Sequence, residues 1–65
     1  MNAEQFYGAQ LVAKYPGLVE AFKWLEKALN FAAAGQDGMA LKSANHALKK
    51  EREAFGWDGL EGSFA

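Results

Sequence analysis

Apolar residues recur along this chain at spacings of three and four, the period of an amphipathic α-helix, in three stretches punctuated by proline and glycine. The first helix is expected from about Asn2 to Lys14. Asn2 is its natural N-cap, with Gln5 three residues later in the place of a capping-box partner. Pro16 ends it, because the residue before a proline is pushed out of the helical region. A proline also suits the first turn of a helix, so helix two is expected from about Pro16 to Ala34, closed by Gly35 as a left-handed cap. Asp37 is the expected N-cap of helix three, which runs from about Gly38 to Phe55. Gly56, Gly59 and Gly62 then break up an irregular tail over residues 56–65. The fold class is therefore all-α. One three-helix domain spans residues 1–55, built on an antiparallel αα-hairpin of helices two and three, with an N-terminal helix and a glycine-rich tail.

The same pattern says which faces must be covered. In helix two, Leu18, Ala21, Phe22, Leu25, Ala28, Leu29 and Ala32 form one stripe, which Trp24 and Phe31 widen on one flank. In helix three, Leu41, Leu48 and Phe55 recur every seven residues and are expected to be buried, beside a margin of Ala40, Ala44 and Ala47 that admits another helix closely. Helix one is apolar on two sides. Phe6, Ala9, Val12 and Ala13 lie on one, and Tyr7, Leu11 and Tyr15 on the other. One side covers the hairpin and the other is a candidate contact surface.

Composition sharpens that expectation. A chain of 65 residues buries only about 60% of its unfolded surface, and one core of that size rarely supplies more than about 3–5 kcal/mol without a staple. There is no cysteine, so no disulfide serves, and the single histidine, His46, excludes a thiolate or multi-histidine zinc site. Five Phe, two Trp and two Tyr are many aromatics for so small a core, which points to assembly with a partner. The net charge of −1 argues against a partner that is a polyanion over its whole length. The N-terminus lacks the basic head and apolar run of a secretory signal, and no apolar stretch is long enough for a membrane span, so a cytoplasmic protein is expected.

The series Trp24, Ala28, Phe31, Gly35, Ala40, Ala44 and Ala47, followed by Leu48, resembles a single tetratricopeptide repeat over about half the chain. Ala44 stands where that family usually has a bulky residue, Arg52 where it has a closing proline, and Lys27 where leucine is frequent. Repeats of this kind normally stack in threes or more, and this chain has room for one. The resemblance implies a hairpin that binds peptides or helices and does no chemistry.

Candidate chemistry is sparse. His46, the one natural general base at neutral pH, is expected on the solvated side of helix three, with Ser43 three residues upstream and no carboxylate placed to orient it. Lys42, His46, Lys49, Lys50 and Arg52 make the second half of that helix basic, which complements its macrodipole or offers an anion or nucleic-acid contact. Gly35-Gln36-Asp37-Gly38 lacks the lysine and hydroxyl of a phosphate loop. Asp58 and Glu61 lack the ligand spacing of a calcium loop. In the tail, Trp57, Leu60 and Phe64 either fold back on the core or anchor a partner. The resulting expectation is a non-catalytic protein-interaction module without a cofactor, a small adaptor or inhibitor that binds itself or a larger protein. Its interface residues are expected to be Tyr7, Leu11, Tyr15, Trp57 and Phe64. A small regulator that binds nucleic acid or a nucleotide through the basic half of helix three is the alternative.

Overall fold

The structure, a computed structural model, describes residues 1–56. Among these the regular structure is entirely helical: α1 (Ala3–Tyr7), α2 (Ala9–Lys14), α3 (Leu18–Ala33) and α4 (Asp37–Phe55). α3 and α4 pack against each other as the expected hairpin, and α1 lies against α3.

The expected first helix is divided in two. Gly8, at φ 101° and ψ 141°, ends α1 and starts α2. Only glycine adopts that backbone without strain, and the break lets α1 lie against α3 while α2, which has no buried residue, leaves in a new direction. The capping box forms as expected. The Asn2 side chain accepts from the Gln5 backbone N–H at 2.9 Å, and the Gln5 side chain accepts from the Asn2 N–H at 2.8 Å.

Tyr15, at φ −127° before Pro16, stops α2. Pro16 and Gly17 form a turn rather than a helical start, and α3 begins at Leu18. At its other end the Gln36 N–H donates to the Phe31 carbonyl at 2.9 Å and the Gly35 N–H to the Ala32 carbonyl at 3.0 Å. With Gly35 at φ 78°, this is a Schellman motif that satisfies the last carbonyls and reverses the chain. Asp37 does not cap α4. It is the first helical residue, where its charge complements the helix N-terminus, and Gln36 occupies the cap position without a side-chain bond.

The helices cross on their small residues. Ala47 and Ala21 are fully buried and Ala28 nearly so, and Ser43 is 5% exposed. At the open end of the hairpin a Cβ on Gly17 would lie only 3.0 Å from Ala54 Cβ, so the start of α3 sits against the end of α4. Ala3 and Phe22 complete the core on the α1 side, and Leu18 is its one large fully buried side chain. The expected burial of Leu41 and Leu48 does not occur: they are 63% and 48% exposed, and Leu29 is 69% exposed. Alanine at the crossing lets the helices approach so closely that the neighbouring leucines flank the contact instead of filling it. The molecule is flat, with extents of 33 × 30 × 13 Å. Four of the six buried apolar residues among those described are alanines, each of which removes little apolar area from water.

Candidate functional site

Because α3 and α4 meet on alanines, the hairpin presents two flanks, and they differ in chemistry. On the first, Leu25 and Leu29 of α3 and Ala44 of α4 form the floor of a groove of about 420 Å³, with Met1 and Phe6 as one wall. Phe6 is itself half exposed and rests on Phe22, ring centroids 5.6 Å apart. Leu41 and Leu48 are one turn either side of Ala44 and share its side of α4, which extends the apolar surface beyond the groove. Among the described residues, Glu26 is the one charged side chain lining this groove.

The second flank is aromatic and basic. A groove of about 510 Å³ is lined by Trp24 and Phe31 from α3 and Met39 from α4, together with Lys27, Lys42 and His46. The His46 ring lies 4.1 Å from the Trp24 ring at a tilt of 52°, and Lys27 Nζ sits 4.3 Å from the Trp24 centroid. His46 is therefore half buried against an indole and not the solvated surface residue expected from its sequence neighbours. The pairing does leave a trace in the sequence: Trp24 and His46 each lie eleven residues from Gly35, and Phe31 and Met39 each lie four from it. Residues equidistant from the turn of an antiparallel hairpin meet across it.

The tyrosines expected at an interface both make intramolecular contacts. The Tyr7 hydroxyl donates to Glu51 Oε2 at 2.6 Å, and the Tyr7 ring packs edge-on against Phe6 at 4.9 Å. Desolvation first, then the bond to Glu51 and its negative charge, hold the Tyr7 phenol well above its usual pKa. Tyr15 packs edge-on against Phe55 at 4.8 Å, tying the α2–α3 turn to the end of α4. Leu11 is exposed. Trp57 and Phe64 lie outside the described residues, as do Leu60, Asp58 and Glu61.

The basic residues of α4 divide. Lys42 and His46 line the aromatic groove, whereas Lys49, Lys50 and Arg52 do not. Lys50 pairs with Glu53 at 3.7 Å, one turn along the helix. Among the described residues, no cluster of three or more His, Asp or Glu is placed to hold a metal ion, and no helix is long and apolar enough to cross a membrane. Comparison with protein-family models, with curated proteins and with solved structures finds no match to this chain.

Proposed function

We propose that this chain is a non-catalytic protein-interaction module that works through its leucine flank, with a second copy of itself as first partner. The observation that carries this reading is the exposure of Leu29, Leu41 and Leu48 beside the Leu25–Ala44 groove. Contiguous apolar surface of this kind marks association sites. The energetics agree. A core made largely of alanine leaves a small domain short of stabilisation, and burying four leucines per copy supplies what the isolated hairpin lacks. Two flat hairpins laid leucine flank to leucine flank make a four-helix bundle, a geometry that such short-looped pairs adopt readily. Twofold symmetry makes the surface self-complementary, since each copy brings both the leucines and the groove. The resemblance of Trp24–Ala47 to a helix-binding repeat points to the same class of work.

A chain without cysteine allows a direct test. Single-cysteine variants Leu41→Cys and Leu29→Cys, treated with a short bismaleimide, are expected to yield covalent dimer. Lys23→Cys, an exposed position on the polar side of α3, is expected to yield little. Equal cross-linking at all three positions contradicts the assignment of the face. An absence of dimer at the two leucine positions contradicts self-association through this face and leaves a helix of a larger protein as its occupant.

A further inference from the structure

The second flank of the hairpin carries an independent site. We infer that the groove between Trp24 and His46 binds a small organic anion, one carboxylate or phosphate on an aromatic body. Its volume of about 510 Å³ falls within the range of small-molecule sites. Trp24, Phe31 and Met39 supply an apolar and aromatic surface for the body of the ligand. Lys27, Lys42 and His46 supply every titratable group of the lining, and none of these is acidic.

Among the described residues, no carboxylate forms an ion pair with Lys27 or Lys42. Neither has an acidic residue three or four positions away on its own helix: Lys27 has Lys23, Trp24, Asn30 and Phe31, and Lys42 has Gly38, Met39, Asn45 and His46. No carboxylate of the described residues lines this groove, and three of them have other places. Glu26 lines the opposite groove, Glu51 accepts from Tyr7, and Glu53 pairs with Lys50. Positive charge is thus concentrated on one flank beside aromatic surface, a combination that repels cations and gives a neutral ligand no use for the lysines. Lys27 is already held over the Trp24 ring, which reduces the rotamer freedom it loses on binding.

The test is a titration of the isotope-labelled full chain with phenylacetate, its neutral isostere phenylacetamide, and phenyl phosphate, followed by heteronuclear NMR. Saturable shifts are expected at the Trp24 indole N–H and at the amides of Phe31, Met39, Lys42 and His46. Phenylacetamide is expected to bind about tenfold more weakly than phenylacetate, the scale of one charge-assisted contact. The double variant Lys27→Gln, Lys42→Gln is expected to remove that difference, so that acid and amide bind alike. Comparing phenylacetate with phenyl phosphate then distinguishes the headgroups. Equal binding of acid and amide, shifts centred on Leu25 and Leu29, or no saturable shift with either anion would overturn the assignment. Because the readout lies on the flank opposite the leucines, it stands or falls separately from self-association.

Discussion

The Tyr7 hydroxyl and the Glu51 carboxylate meet at 2.6 Å across 44 residues of sequence, and through them the N-terminal segment is pinned to α4. The bond is charge-assisted and partly buried, so its loss is felt: Tyr7→Phe is expected to destabilise the fold by about 1–2 kcal/mol in chemical denaturation. The phenol's pKa is raised on folding above its unfolded value of 10.0. The stabilisation it contributes is therefore complete below pH 10 and is lost as pH rises from there toward the folded value. The stability gap between the native chain and Tyr7→Phe is expected to be constant around neutrality and to narrow above pH 10. A gap that does not change with alkaline pH contradicts the bond.

Gly8 is the second point on which the N-terminal segment depends. Nothing lies within 4 Å of a Cβ at this position, so a side chain meets no steric obstacle there. The backbone at φ 101° is the obstacle. Gly8→Ala is expected to cost about 1–3 kcal/mol by denaturant midpoint, or to fuse α1 and α2 into one helix with a gain in circular-dichroism helicity. In the second case the Phe6–Phe22 contact is lost. A variant as stable as the native chain and no more helical would contradict the break.

The helix crossing gives a prediction of opposite kind. Ala47 has no exposed surface and faces α3 through its methyl group. Ala47→Leu is expected to push the helices apart at a cost of about 1–3 kcal/mol, measured by thermal or chemical unfolding. Leu48→Ala, one position along, is expected to leave the unfolding of the isolated hairpin within about 0.5–1 kcal/mol of native. A reversed order would mean that leucine, not alanine, lines the crossing.

Those two neighbours also show where the sequence was readable and where it was not. The Asn2–Gln5 capping box, the stop at Pro16 and the reversal at Gly35 are local devices, written in residues that touch within one turn, and each forms in the structure. Helix three carried two apolar stripes side by side, one of leucine and one of alanine. Periodicity reports a face but not which part of it meets the partner helix, and close alanine packing decided against the leucines. Gly8 sat within a helical pattern that tolerates a lone glycine, so its break was not legible. His46 was invisible for a different reason. Its contact, Trp24, lies 22 positions away, and only the symmetry of the hairpin about Gly35 brings the two together.

The leucine flank is the centre of the account, and the molar mass of the chain in solution tests it most directly. Light scattering on a sizing column, over a range of concentrations, is expected to give twice the 7.1 kDa chain mass for the native protein. The variant Leu29→Lys, Leu41→Lys is expected to give the single-chain mass while remaining helical, because both side chains project into solvent in the lone hairpin. A native protein that stays at the single-chain mass at every concentration, or a lysine variant that still dimerises, would contradict self-association through this face.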